Sequence, residues 1–285
     1  MALLNKILNI KYRFFRILRK NRTSYPYLSG DAFAEIADFC IDSSECLNSP
    51  EAVIQLQKAE TIFCKSELLE DLLEKYFDTI TARVIICGNS DYEFSKPLES
   101  IPESVKYLYL QNSYISDSIR IFTLPIGIEN FKLGINGSPN LMRNITKTQE
   151  KFDSVLLGPF GATHGLRMAI VETFSRISGP WVVVTERLKP RKYSITSSKF
   201  KFVASVRGNG ADTHRLWETL YRGSFPIVLS DSWSESLRYL NLPLIYVNEW
   251  KPEVIERIVE TKLQSFESID LDSLWMPYWE RRIRE

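Results

Sequence analysis

The sequence predicts an α/β protein made of two consecutive units, each built on a mainly parallel sheet. Three observations carry this expectation. Short runs rich in β-branched and aromatic residues alternate along the whole chain with longer segments of helical periodicity, the pattern of strands joined by crossover helices. A polar stretch at 132–152, holding Gly134, Gly137, Pro139 and the run Lys147-Thr-Gln-Glu-Lys151, interrupts that alternation once. The length of 285 residues suits two units of roughly 100–150 residues, each with a core of its own. The units expected are 23–140 and 150–266, preceded by a basic segment at 1–22 and followed by a terminal helix at 267–285.

Residues 1–22 carry seven basic side chains (Lys6, Lys11, Arg13, Arg16, Arg19, Lys20, Arg22), and no acid precedes Asp31. Leu4, Ile7, Leu8, Phe14, Phe15 and Leu18 recur near helical spacing, which gives a basic amphipathic helix. Such a helix suits peripheral attachment to an anionic membrane face, and equally suits packing on the first unit with its charges in water. Asp31 to Phe39 reads as a helix, Thr61 to Cys64 as a strand, and Leu68 to Phe77 as a second helix. Arg83 to Cys87, Val105 to Leu110 and Arg120 to Leu124 read as strands, closed by Gly88-Asn-Ser-Asp91, Gln111-Asn112 and Pro125-Ile-Gly127.

The second unit begins with a strand at Ser154–Leu157, the loop Gly158-Pro-Phe-Gly161 and a helix from Leu166 to Ile177. A strand at Pro180–Val184 and a basic loop (Arg187, Lys189, Arg191, Lys192) lead to the most informative stretch, Lys199 to Asp231. There Phe200–Val206 is a strand, and Gly208-Asn209-Gly210 is a turn that needs positive φ or a close backbone approach. Asp212 or Thr213 caps a helix carrying His214, Arg215, Trp217 and Glu218; Gly223 ends it, and Phe225–Leu229 returns as a strand. A short helix at Ser234–Leu240, a strand at Pro243–Val247 and a helix at Pro252–Phe266 follow. The last helix holds Leu274, Trp275, Tyr278 and Trp279, which read as packing residues.

Composition narrows the function. A net charge of +1 offers no field to recruit nucleic acid, so nucleic acid is not an expected partner. Cys40, Cys46, Cys64 and Cys87 lack CxxC spacing and read as free thiols of a reducing compartment. With His164 and His214 the only histidines, a zinc site is not expected. No apolar run approaches the roughly 20 residues of a membrane span, and no signal-peptide core is present. The expected location is therefore the cytoplasm, with residues 1–22 on the inner membrane face. Asn21, Asn136 and Asn144 fit the N-x-Ser/Thr pattern and, without a secretion signal, read as chance matches.

Arg207-Gly-Asn-Gly-Ala-Asp-Thr-His-Arg-Leu-Trp-Glu218, then Gly-Ser-Phe-Pro-Ile-Val at 223–228 and Asn241-Leu-Pro to Trp250, resembles the donor-binding half of exostosin-type glycosyltransferases, in particular bacterial enzymes of surface-polysaccharide synthesis. Weaker echoes lie at 87–91, 111–112 and 124–130. The resemblance implies the GT-B fold, two Rossmann-like domains facing across a cleft, with a nucleotide-sugar held by the second. It also implies an inverting reaction on a saccharide or lipid-linked acceptor, with no bound metal or other cofactor. No Asp-x-Asp occurs in a donor loop; Asp270-Leu-Asp272 lies near the terminal helix.

Transfer without a metal requires cations and N–H groups for the leaving diphosphate. Gly208, Asn209 and Gly210, with Asp212 and Thr213 opening the helix, supply N–H groups, and Arg207 and Arg215 the nearest guanidinium groups. His214, Arg215 and Glu218 share one helical face by spacing, and Glu218 is suited to a ribose hydroxyl, as the resemblance also implies. Arg215 and Glu218 equally suit a solvated ion pair, and His214 a packing role. Arg167, beside His164 and Gly158–Gly161, forms a second loop–helix entry. The base is expected from the first unit: Asp31, then Asp91, with Glu129 also near a strand end, each of which is equally a cap or turn residue. The alternative is a non-catalytic nucleotide-sugar-binding protein on the same scaffold.

Overall fold

The computed structural model describes residues 23–117, 119–134, 137, 139–143, 150–177, 179–261 and 269–285. The basic helix expected at 1–22 lies outside them, as do the three Asn-x-Ser/Thr sites and the end of the helix expected to reach Phe266. Among the described residues no helix is long and apolar enough to cross a membrane. The chain is α/β, with two five-stranded sheets whose strand pairs are all parallel.

In the first half, Ser29 caps α1 (Gly30–Ile36) by accepting from Ala32 N–H. The helix stops three residues short of Phe39, to which it was expected to run. The Asp38 carboxylate accepts from the N–H groups of Glu60 and Thr61, which seats β1 (Phe39–Ile41) beside the next strand. After a helical turn at Ser44–Leu47 come α2 (Pro50–Leu56), β2 (Thr61–Lys65), α3 (Leu69–Tyr76), β3 (Val84–Gly88), β4 (Tyr107–Leu110) and β5 (Ile121–Thr123). The order is β1-β2-β3-β4-β5, wound in one direction.

Register partners lie 23 residues apart across three successive pairs, as in Ile41–Cys64, Cys64–Cys87 and Cys87–Leu110, so these four fully buried residues form one column. Two residues past that column, Asn89 and Asn112 both take the left-handed conformation (φ 58° and 54°), each followed by serine. Right-handed crossovers that advance in one direction place every connection on one face of a sheet. Leu47, Leu56, Leu69 and Leu72 accordingly pack together on the face of that column.

The second half runs β6 (Phe152–Leu156), α4 (Gly165–Ser175), β7 (Val182–Val183), α5 (Pro190–Ser197), β8 (Phe200–Ala204), α6 (His214–Tyr221), β9 (Phe225–Leu229), β10 (Ile245–Val247), α7 (Pro252–Glu260) and α8 (Met276–Arg284). Its order is β7-β6-β8-β9-β10: the chain steps outward once, then crosses back. Two local expectations differ. The strand expected at Pro180–Val184 shrinks to two residues, and the basic loop is a helix, because Pro190 starts it and Tyr193, Ser194 and Ser197 face inward.

The halves share a core. Phe33, Ile86, Tyr109 and Phe122 of the first half pack in one cluster with Leu216, Trp217, Trp233 and Leu237 of the second, and with Trp279 of α8. Trp279 is fully buried against Phe33 and Tyr109 at ring distances of 5.4 and 5.8 Å, so the terminal helix returns to the first sheet. The separate cores expected for each unit exist only on the outer faces.

Candidate functional site

An open parallel sheet whose strand order reverses leaves a crevice at the carboxyl ends of the two strands on either side of the reversal. Here those strands are β6 and β8, and the segments leaving them are Leu157–Phe160 and Ser205–Gly208. Arg167, in the first turn of α4, crosses between them: its guanidinium donates to the carbonyls of Val206 and Arg207 and to Thr163 Oγ1 (2.8–3.3 Å). Arg215, in the first turn of α6, stacks on Phe160 (4.5 Å) and Tyr193 (5.1 Å) and donates to the Pro159 carbonyl. The Gly208–Gly210 turn uses close approach, not positive φ. A Cβ on Gly208 would meet Arg167 Nη2 at 2.9 Å, and one on Gly210 would meet Asn112 Nδ2 at 2.6 Å.

The charges here do not balance. Half-buried Tyr193, whose hydroxyl lies fully buried, is surrounded by Arg167, Arg215, Arg222 and Glu218. Glu218 is buried and pairs with Arg222 at 3.1 Å, so it neither pairs with Arg215 nor reaches outward to a ribose. Among the described residues neither Arg167 nor Arg215 has a carboxylate partner. Burial, and then the neighbouring Arg215, lower the Arg167 pKa to about 10. Arg215 Nη1, the Tyr193 hydroxyl and Thr185 Oγ1 are buried without a hydrogen-bond partner among the described residues. Unsatisfied buried donors around two unpaired cations form an anion-accepting arrangement.

Other expected site residues bind the halves together. Arg207 pairs with Glu93 and donates to Tyr114 Oη (3.1 Å), so its charge is already met. Asn209 donates to Asp91 (3.1 Å). Asp212 is buried and accepts from Ile126 N–H, Thr213 N–H and Trp217 Nε1; burial pushes its pKa up to about 7 against those three donors. Asp212 does not cap α6, and Thr213, its N-cap residue, makes no side-chain cap. His164 caps α4 through Nδ1. His214 turns away from Arg215, and its Nδ1 lies 2.8 Å from the Gly127 carbonyl in the first half.

Beyond His214 opens a cavity of about 220 Å³, lined by Gly30, Asn89, Ser90, Asp91, Gln111, Ile126, Asn130, Leu133 and His214. Of the candidate bases, Asp31 is tied down: Oδ1 accepts from Ser29 Oγ and Ser24 N–H, and Oδ2 from Phe131 N–H. Asp91 stands exposed on the cavity wall. Glu129 is buried. A smaller cavity of about 20 Å³ lies between Ser205, Arg207, Trp233 and Trp250, each with a buried polar atom lacking a partner among the described residues.

The model of the FNIP repeat matches residues 94–135, a stretch that holds β4, β5 and four lining residues of the larger cavity. No curated protein matches the chain. Thr185 and Tyr193 were not expected at the site; Tyr193 stands four residues past Lys189 in a segment whose charge masked a helix. The 23-residue recurrence of Asn-Ser at 89–90 and 112–113 was the legible signal for the strand ends beside the cavity, of which Asn89 and Ser90 line it.

Proposed function

We propose that the protein is a glycosyltransferase, exostosin-like and of GT-B arrangement, that moves a sugar from a nucleotide-sugar to a saccharide or lipid-linked acceptor hydroxyl with inversion. The observation that carries this reading is the pair Arg167 and Arg215, unpaired by any carboxylate among the described residues at the reversal point of the second sheet, with Arg215 Nη1 and Tyr193 Oη lacking partners. A diphosphate satisfies both demands, since its oxygens accept from guanidinium and hydroxyl donors, and its charge on the leaving group grows in the transition state. The same cations take the place of a metal, so donor binding is expected to survive chelation by EDTA.

Thermal shift with UDP- and GDP-sugars tests the reading. A donor at a hundred times its Kd stabilises the native state by about 2.7 kcal/mol, a clear rise in Tm. No shift with any nucleoside diphosphate or its sugars, or one unchanged in Arg215→Ala, counts against it. The shared core favours the second reading, a non-catalytic nucleotide-sugar-binding protein, because packed halves resist opening and closing. Release of nucleotide from the bound donor separates the two: an enzyme releases it, a binding protein does not.

Residues 1–22 complete the proposal as a basic amphipathic anchor on the cytoplasmic face of an anionic membrane. Removing residues 2–22 is expected to abolish sedimentation with anionic vesicles while leaving the fold; equal binding overturns the anchor.

A further inference from the structure

The cavity of about 220 Å³ and the histidine at its edge carry an inference about the acceptor. Its polar wall is made chiefly of uncharged groups: Asn89, Ser90, Gln111 and Asn130, with Asp91 the one carboxylate among the lining residues. The amides hold one another in place. Asn130 Nδ2 donates to Asn89 Oδ1 (2.9 Å), Asn130 Oδ1 accepts from Asp31 N–H (2.8 Å), and Gln111 donates to the Ser90 carbonyl (2.7 Å). A fixed wall of amides without a cation matches hydroxyl groups and gives a carboxylate or phosphate no opposite charge.

The orientation of His214 is set by the backbone. A carbonyl only accepts, so the bond to the Gly127 carbonyl places the proton on Nδ1. A ring carrying only that proton presents Nε2 as a lone-pair acceptor, and Nε2 has no partner among the described residues. Gly127 is itself fixed: its φ is +67°, a Cβ there would stand 2.0 Å from the Leu28 carbonyl oxygen, and the next residue, Ile128, donates to that oxygen at 2.7 Å. Arg215, the neighbour of His214 in the first turn of α6, belongs to the cationic cluster, so the cavity and the anion-accepting crevice meet at one turn of helix.

We propose that this cavity takes a neutral, hydroxyl-rich acceptor and that His214 is the catalytic base. The proposal rests on the glycosyl-transfer reading. Nε2 takes the proton of the acceptor hydroxyl as its oxygen forms a bond to the anomeric carbon. The bond from that carbon to the diphosphate oxygen breaks, and the electron pair leaves on the diphosphate beside Arg167 and Arg215. Of the carboxylates near His214, Asp91 lines the cavity and holds Asn209, Asp31 is bonded to its own loops, and Asp212 is buried among N–H donors; the cations nearest along α6 and across the crevice are Arg215 and Arg167.

The test uses the full chain and the UDP- or GDP-sugar that gives the largest thermal shift, with release of UDP or GDP measured alone and with neutral hexoses, neutral disaccharides, glucuronate or sialic acid added. His214→Asn keeps a donor for the Gly127 carbonyl and removes Nε2. It is expected to bind the donor as wild type does and to release nucleotide at least a hundredfold more slowly, with the acidic limb of the pH–rate profile lost. Added imidazole is expected to restore release in His214→Ala, and neutral sugars, not acidic ones, to stimulate the wild type. Release by His214→Asn within threefold of wild type, an acidic limb that disappears in Asp91→Asn instead, or stimulation by glucuronate equal to that by hexoses overturns the proposal while donor binding stands. A wild type that binds no nucleoside diphosphate overturns the donor reading and this proposal with it.

Discussion

The two sheets of this chain are alike in size and direction and differ in winding. The first advances strand by strand with a 23-residue register, so its crossovers cover one face and its strand order never reverses. The second reverses between β6 and β8, and only there do connections part and leave a crevice. Winding thus divides the work. The reversing sheet holds guanidinium groups without carboxylate partners among the described residues, and the advancing sheet sets left-handed asparagines at its strand ends, one of which, Asn89, joins Gln111 and Asn130 in an amide wall. Both surfaces meet at α6, which gives His214 to one and Arg215 to the other.

The comparison is broken most severely at the shared core. Trp279→Ala removes a fully buried ring that packs on Phe33 and Tyr109 and donates Nε1 to the Ser273 carbonyl. It is expected to cost about 3–5 kcal/mol in urea denaturation and to split one transition into two as the halves separate. A single transition at unchanged midpoint means that the halves do not depend on this core.

Asp212 gives the next largest effect. Its folded pKa of about 7 lies above the ordinary carboxylate value of 3.8, so between those values the folded state holds a proton that the unfolded state has lost. Stability is therefore highest at the acidic end of that window and falls as pH rises towards 7, by on the order of 3–4 kcal/mol. Chemical denaturation at pH 5 and pH 8 measures the fall, and Asp212→Asn is expected to flatten it. A wild type as stable at pH 8 as at pH 5 means that the three N–H donors outweigh burial.

The smallest effect belongs to the Arg207–Glu93 clamp, both partners of which are about a quarter exposed. A double-mutant cycle is expected to give about 1 kcal/mol of coupling, reduced by salt. No coupling at low salt removes the clamp from the contacts joining the halves.

Much of this was legible in the sequence where a residue's local surroundings decide its role. Phe225–Leu229 is apolar, bounded by a glycine and an aspartate, and forms the strand expected of it. The loops at Gly158 and Arg207 could be paired as entries to one crevice because each follows a strand and precedes a helix. What stayed hidden depends on partners far along the chain. Arg207 is spent on Glu93, Glu218 on Arg222 four residues away, and Asp31 on Phe131 N–H. Helical spacing put Glu218 within reach of Arg215 and Arg222 alike, and only packing around Tyr193 selects between them. The 23-residue column was readable in principle, but Lys65, Gly88 and Gln111 differ enough at the strand ends to obscure it.

The central claim is that the unpaired cations of the reversing sheet hold a diphosphate. Calorimetric titration of UDP and GDP into wild type, Arg215→Ala and Arg207→Ala tests it most directly. The account predicts saturable binding by the wild type, a loss of at least about tenfold (about 1.4 kcal/mol) in Arg215→Ala, and a much smaller loss in Arg207→Ala. No saturable binding by the wild type, or equal affinity in Arg215→Ala, contradicts it.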